Sequence, residues 1–541
     1  MSVPHPALSA VSPATLRQLD GQLTAGRVDE VIVACRDLLH RHPDHAPVLL
    51  LLSRALSRGG RHRQARDATL QAWATRPRDP AVLFETGRRL RYFNEYEAVA
   101  NCYGMPDFTD RAPAQALTEA ALSLSSIGLN EQALALLEKA ISSTPKLAVA
   151  YYMRGNIRSF MGDFEAADAD YERSLAEDPR LFQAAWMQSG LRTQTPESNH
   201  VERLRRQLQA ATPGGKGEVY LEFALHKELH DLGRHDDAWR HLAAGCRKKR
   251  AQLTYRADAV RHLFSRLKKV CTARFVSESA SPAPMPVPIF VVGMHRSGTT
   301  LIERVLGGHS QVRDAGETYA FAEEMKLATN QANSLVLDAA LVDAAAGVDY
   351  AQVAAGYASR AGWLAQGKAF FTEKLPSNFL HAGFIAKALP DAKIIHLARN
   401  PMDTAFSNLR TLFSEAAPYS YDQAELADYI AESHRLMTWW QEVLGDRLLV
   451  VDYARLVADF DTEVRRIAAF CGLPFEPAML DVGRGGGAVT TASAVQLRDG
   501  LRKDRGAAWL PYAEPLTPLR TALQAQHLLP DWLHRDHVHE R

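Results

Sequence analysis

The chain has 541 residues, 46% of them hydrophobic and 23% charged, with a formal net charge of +1. That composition describes an ordinary soluble globular protein long enough for more than one domain, and the near-neutral balance excludes nucleic-acid binding through bulk positive charge. The five cysteines (Cys35, Cys102, Cys246, Cys271 and Cys471) stand apart without metal-ligand spacing, so a reducing compartment without a disulfide framework is expected. Residues 1–18 have neither the basic start nor the unbroken apolar core of a signal peptide. No window approaches the roughly 18 apolar residues of a spanning helix. The expectation is a cytoplasmic protein with no membrane span.

From residue 14 to about residue 250 the chain reads as helix after helix, and the pattern repeats. Pro43, Pro77, Pro145 and Pro179 fall at intervals of 34, 68 and 34 residues. Gly26, Gly60, Gly128 and Gly162 keep the same phase, each 17 residues before a proline. Ala65, Ala133 and Ala167 follow the last three glycines by five residues. A period of 34 with a small residue where two helices cross, and a proline to end the pair, resembles the tetratricopeptide repeat. Gly162–Pro179 is the best copy; the repeat between Ala81 and Pro113 is degenerate, with Asn94 at the glycine position. Gly233–Ala238 suggests a further unit, out of phase, after the break at Thr212–Gly215. Such pairs bury their faces only by stacking, so residues 14–276 are expected to form an all-α solenoid. The resemblance implies a surface for a peptide or protein partner, or for self-association. A spacer that covers the next domain is the plainer alternative.

Residues 277–286 are rich in proline and serine and read as a semi-rigid connector. From Val287 to the end, short apolar runs alternate with amphipathic stretches. Strands are expected at Ile289–Val292, Ala369–Thr372, Lys393–Leu397 and Arg447–Val451, and helices at Tyr350–Leu364, Asn378–Leu389, Pro401–Leu412, Asp422–Leu444 and Ala454–Cys471. This alternation predicts an α/β domain over 287–541 with a parallel sheet covered on both faces. Ligands of such sheets bind beyond the carboxyl ends of the strands.

The first strand runs into Gly293-Met-His-Arg-Ser-Gly-Thr-Thr300 and then an apolar helical face at Leu301, Ile302, Val305 and Leu306. Strand, glycine turn and helix bring backbone N–H groups together on an anion. The spacing is that of a P-loop, except that Thr299 stands where a triphosphatase carries lysine. The cation is Arg296 instead. The segment Arg296-Ser297-Gly298-Thr299-Thr300 resembles the 5′-phosphosulfate loop of sulfotransferases that use 3′-phosphoadenosine 5′-phosphosulfate, in particular the tyrosylprotein sulfotransferase-like branch. Several members have proline at the position of His295. The fold class implied for the whole chain is α + α/β, a tetratricopeptide solenoid followed by a P-loop-like sulfotransferase domain.

The same resemblance assigns further residues. Glu317, in Gly-Glu-Thr context, is the implied general base that takes the acceptor hydroxyl proton; a carboxylate capping the next helix, over Tyr319–Ala328, is the alternative. Lys374 lies in Glu373-Lys-Leu-Pro, where the family has aspartate in place of Glu373, and is the implied partner of Arg296 in neutralising charge on the transferring group. Arg399 at a strand exit and Ser407 eight residues later match the 3′-phosphate motif; taken alone, Arg399 would pair with Asp403 across the helix start. Tyr453 resembles a pocket-lining tyrosine, with Ala454 replacing the family's acid. Ser493, in Thr490-Thr-Ala-Ser, resembles the serine near the phosphosulfate, and it keeps a 16-residue spacing to Trp509. Between them the pattern departs: the cations stand at Arg498, Arg502, Lys503 and Arg505 rather than beside the tryptophan. Gly485–Gly487 reads as a loop that closes over the donor.

The expected reaction is transfer of a sulfuryl group from 3′-phosphoadenosine 5′-phosphosulfate to an acceptor hydroxyl, leaving 3′-phosphoadenosine 5′-phosphate, with no metal implied. Peptidyl tyrosine, a glycan, a lipid and a small phenol all fit as acceptor. Two other readings stand beside it. A nucleotide kinase on the same sheet would lack the P-loop lysine and an acidic strand end for Mg²⁺. A repeat scaffold with a decayed catalytic half would bind neither nucleotide. The three histidines of the tail, His534, His537 and His539, read as a solvated terminus.

Overall fold

The computed structural model describes residues 11–281, 285–331, 336–413, 415–483 and 507–529. Within these, antiparallel helix pairs recur at Pro13–Thr24 with Val28–Arg41, Ala46–Arg58 with His62–Ala74, Pro80–Tyr92 with Tyr96–Tyr103, Ala114–Ser125 with Asn130–Ser143, and Ala148–Met161 with Phe164–Glu177. One more follows, Lys216–Asp231 with His235–Ala251, and the helices Phe182–Ser189 and Val201–Ala210 both pack on the first of these.

The periodic residues explain the pairs. The turn between the two helices needs one left-handed residue, which glycine adopts without the steric penalty of a Cβ. Gly26, Gly60, Gly128, Gly162 and Gly233 occupy it with φ between 70° and 88°. The degenerate repeat uses Asn94 at φ 52°, asparagine being among the few other residues that visit this region. Ala65, Ala133 and Ala167 are completely buried where the helices cross. Pro43, Pro77, Pro145 and Pro179 each sit within three residues of the end of a second helix, where the missing N–H and fixed φ stop it.

The chain forms two compact units that do not follow sequence order. The first takes the chain up to Ser143 together with Tyr319–Trp363. Its late segment carries the helices Ala320–Thr329, Ala339–Ala345 and Tyr350–Ala361 and is tied to the early repeats by buried polar contacts. Arg360 Nη1 donates to Phe93 O at 2.7 Å and to Glu95 Oε1 at 2.8 Å, while Nη2 reaches Glu324 Oε2 at 3.2 Å. His62 Nε2 meets Glu323 Oε1 at 2.7 Å.

The second unit holds Thr144–Thr318 and the chain from Leu364 onward. Its centre is a parallel sheet of β1 (Val287–Gly293), β2 (Val312–Arg313), β3 (Phe370–Glu373), β4 (Lys393–Ala398) and β5 (Leu448–Asp452), in the order β2-β3-β1-β4-β5. Side chains alternate across the sheet. Ile289, Val291, Ile395, Leu397 and Val451 pack with Leu301, Ile302, Val305, Val464 and Ile467 in one cluster. On the opposite face lie the segment Pro376–Ala388 and the long helix Gln423–Leu444, locked together by Trp440 Nε1 donating to Phe379 O at 2.9 Å.

Several local expectations differ from what is found. β2 has two residues and no run of its own, because its pairing to Phe370 and Phe371 makes it a strand. The helix expected at Asn378–Leu389 begins as a 3₁₀ segment, Pro376–His381, since Pro376 fixes the first turn. The helix expected at Ala454–Cys471 is two, Tyr453–Ala458 and Phe460–Cys471, parted at Asp459. The connector's described start is held by the domain that follows: Lys387 Nζ donates to Phe275 O at 2.9 Å and Glu278 O at 2.7 Å. All five cysteines are buried free thiols. Among the described residues no helix is long and apolar enough to cross a membrane.

Candidate active site

Every strand of the sheet delivers a singled-out residue at its carboxyl end. β1 delivers the loop Gly293–Gly298, the exit of β2 leads to Glu317, β3 to Lys374, β4 to Arg399 and Ser407, and β5 to Tyr453.

The loop is shaped by close backbone approach. A Cβ on Gly298 would stand 2.8 Å from the Tyr453 ring, and its φ of 106° lies in the left-handed region. Gly298 is the N-cap of the helix Thr299–Leu306 and supplies no side-chain cap, so the first turn presents its backbone dipole to whatever sits above it. Ser297 Oγ is buried and meets no hydrogen-bond partner among the described residues. A buried orphan hydroxyl is costly unless something polar completes it, and an anion on this turn would do so.

Arg296 is itself left-handed at φ 66°, a conformation that costs a non-glycine residue on the order of 1–3 kcal/mol and persists only where its surroundings impose it. Those surroundings include Ser407 and Arg399. Arg296 Nε donates to Ser407 Oγ at 3.2 Å, and Arg399 Nη1 donates to Arg296 O at 3.4 Å. The Arg399 guanidinium lies over the Tyr453 ring, 4.7 Å from its centroid. Asn408, completely buried, donates to His295 O at 2.7 Å and fixes the loop from the helix Pro401–Leu409. Asp403 accepts from Ala507 N at 2.8 Å. Five of the residues expected to hold the two phosphates therefore meet directly, Arg296, Gly298, Arg399, Ser407 and Tyr453, with Ser297 inside the loop and Thr299 and Thr300 opening the helix.

The acid–base candidates form a second cluster beside the loop. Lys374 Nζ donates to Glu317 Oε1 at 2.6 Å. Gly316, at φ 77°, makes the turn before Glu317, and Lys374 N donates to Gly316 O at 3.0 Å, joining that turn to the end of β3. His295 connects the clusters: burial, opposed by Glu317 and joined by the charges of Lys374 and Arg296, brings its imidazole down to about 4. A neutral ring is thus kept in the loop, its Nδ1 2.9 Å from Tyr419 Oη.

Residues that sequence reasoning did not single out support both clusters. Glu303, buried on the loop helix, accepts from Gly316 N at 2.9 Å and from Thr372 Oγ1 at 3.1 Å. Burial raises its carboxyl above the ordinary range, against the pull of Lys374. Its spacing of four from Thr299 and three from Thr300 puts it on the loop-facing side of the helix, which is the signal that could have found it. Asn408 carries a similar signal, four residues beyond Thr404, whose carbonyl it also bonds at 2.8 Å. Ser493, the cations at Arg498, Arg502, Lys503 and Arg505, Gly485–Gly487 and the tail histidines lie outside the described residues. Among the described residues no cluster of three or more histidine, cysteine or acidic side chains is arranged to hold a metal ion.

Comparison with known proteins gives the following. Residues 288–477 match the model of the sulfotransferase family, and residues 22–83 and 148–181 match tetratricopeptide repeat models. A protein of Aquifex aeolicus (strain VF5) described as uncharacterized is 30% identical over 318 residues, covering 56% of this chain. The match takes in 41% of that protein, so the chain spans about two fifths of the length of the curated relative it matches. Among solved structures, the sulfotransferase domain from the curacin biosynthetic pathway is 17% identical and covers 47% of this chain and 99% of its own, with a TM-score of 0.32. The sulfotransferase domain from the Synechococcus PCC 7002 olefin synthase is 20% identical over 44% of this chain and 97% of its own, with a TM-score of 0.28. MamA is 20% identical over 30% of this chain and 94% of its own, with a TM-score of 0.26.

Proposed function

We propose that this chain, which carries a sulfotransferase-family domain behind tetratricopeptide repeats, moves a sulfuryl group from 3′-phosphoadenosine 5′-phosphosulfate to an acceptor hydroxyl. The observation that carries the reading is the meeting of Arg296, Arg399 and Ser407 at the first turn of an uncapped helix. Two guanidinium groups and a hydroxyl at one helix N-terminus suit a ligand with two separated anionic groups. The buried orphan Ser297 Oγ suits the nearer of them.

Each residue has a role in the transfer. The loop holds the 5′-phosphosulfate through backbone N–H groups and Arg296. Arg399 and Ser407 take the 3′-phosphate, and Tyr453 backs the pocket. The acceptor oxygen bonds to sulfur as the bond from sulfur to the bridging phosphate oxygen breaks. The acceptor proton passes to Glu317, and the electron pair leaves on 3′-phosphoadenosine 5′-phosphate. Lys374 and Arg296 offset the charge that gathers on the leaving oxygen. Proton removal matters because a neutral hydroxyl is a poor nucleophile.

A peptidyl tyrosine is the proposed acceptor, with the repeats as the surface for its protein; the sequence resemblance and the repeat architecture support both. Five buried free thiols support a reducing, cytoplasmic setting. Calorimetry tests the donor: 3′-phosphoadenosine 5′-phosphate should bind at least about tenfold more tightly than ATP, and equal or reversed preference would remove the reading. Incubation with ³⁵S-labelled donor and cell extract, followed by identification of the labelled species, tests the acceptor; label on glycan or lipid alone would exclude tyrosine.

A further inference from the structure

We infer that Glu303 is a positioning residue for the proposed transfer, setting both the location of Glu317 and the share of Lys374 that Glu317 receives. The inference rests on the sulfotransferase reading for its catalytic meaning, but its geometry is independent of it. Glu303 is 7% exposed and lies four residues into the loop helix. Its Oε1 accepts from Gly316 N–H at 2.9 Å and from the Thr372 hydroxyl at 3.1 Å. Thr372 Oγ1 in turn accepts from Ala315 N–H at 3.1 Å. The hydroxyl therefore spends its single proton on Glu303 and its lone pair on the turn. One carboxylate thus joins the loop helix, the end of β3 and the turn that carries Glu317.

The second oxygen has a different task. Oε2 lies 3.9 Å from Lys374 Nζ, the same ammonium that bonds Glu317 at 2.6 Å. Two carboxylates share one buried cation, and the charges that act on Glu303 are those of Lys374, Asp314 and Glu317. Lys374 favours the ionised form of Glu303 against its burial, and once ionised Glu303 draws part of the lysine's field and repels negative charge on Glu317. Glu317 thereby bonds an ammonium whose field a second carboxylate shares. A buried acid with a merely architectural role would tether the turn and do nothing to the pH profile.

Two variants separate the tether from the charge. Glu303→Ala removes the acceptor of Gly316 N–H, so hydrogen exchange over residues 313–318 should rise at least about tenfold while β3 stays protected. Glu303→Gln keeps that acceptor and removes the charge. Its exchange should match the parent, its affinity for 3′-phosphoadenosine 5′-phosphate should stay within about twofold, and its kcat should fall about tenfold with the acidic limb moved to lower pH. Unchanged exchange in Glu303→Ala, or a Glu303→Gln profile that overlays the parent, would overturn the inference. Should Glu303→Ala fail to fold, Thr372→Val removes the same hydroxyl link and carries the exchange arm with the same two outcomes. A parent protein that transfers nothing would defeat the sulfotransferase reading, and the exchange arm would still decide the tether.

Discussion

Lys374 and Glu317 meet at 2.6 Å with unequal exposure, the lysine side chain at 1% and the carboxylate at 36%. The cation is a fixed part of the interior, while the carboxylate remains reachable by an incoming hydroxyl. A general base needs that asymmetry: one side held in place, the other open to a proton.

Glu317→Gln should therefore lower kcat by about 10²–10⁴-fold, the usual contribution of a positioned base, while calorimetry finds unchanged affinity for 3′-phosphoadenosine 5′-phosphate. Full turnover in this variant would remove Glu317 from the mechanism.

Arg399→Ala and Ser407→Ala should each weaken 3′-phosphoadenosine 5′-phosphate by about 10–100-fold, the range of a lost charge-assisted hydrogen bond. Adenosine 5′-phosphosulfate, without a 3′-phosphate, should bind the parent and Arg399→Ala about equally. The ratio of the two affinities is the measurement, and an equal loss for both ligands would place Arg399 elsewhere than at the 3′-phosphate.

Arg360→Ala should destabilise the first unit by about 3–5 kcal/mol, because buried Glu324 would lose the guanidinium it pairs with, while Glu95 would keep Arg66. Denaturant unfolding measures it. A variant as stable as the parent would mean that solvent reaches the Glu324 carboxylate.

Acid should destabilise the second unit through His226. Burial, followed by the charges of Arg410 and His230, lowers this imidazole from 6.5 to about 3 against the raising effect of its hydrogen bond to Ala238 O. The unfolded chain then binds the proton that the folded one refuses, so stability is complete above pH 6.5 and falls as pH drops toward 3. The loss approaches about 1.4 kcal/mol per pH unit within that window. His226→Gln should flatten the dependence of melting temperature on pH between neutral and mildly acid buffer; an equally steep slope would assign the acid sensitivity to other groups.

The repeats were legible because their determinants are local and periodic. A left-handed turn selects Gly128 or Gly162 whatever packs around it, and a proline stops the next helix at the same offset. The strand exits were legible for a related reason, since β1 is a continuous apolar run ending in glycine and β4 a mostly apolar run followed by arginine. β2 was not, because two residues carry no period. Glu303 was hidden by looking like an ordinary helical glutamate; its meaning comes from Thr372 and Lys374, about 70 residues away. The packing of Tyr319–Trp363 against the first repeats was illegible for the same reason. Arg360 and Glu95 are 265 residues apart, and neither carries a local sign of the other.

That packing bears on biosynthesis. The 175 residues Thr144–Thr318 must leave the ribosome before the last piece of the first unit appears. Until then Glu95 and His62 lack Arg360 and Glu323, and the nascent N-terminal helices hold an incomplete interior. Expression vectors cut at residue 287 would strand Tyr319–Trp363 with its charged groups bared, so a minimal soluble fragment has to retain the opening repeats.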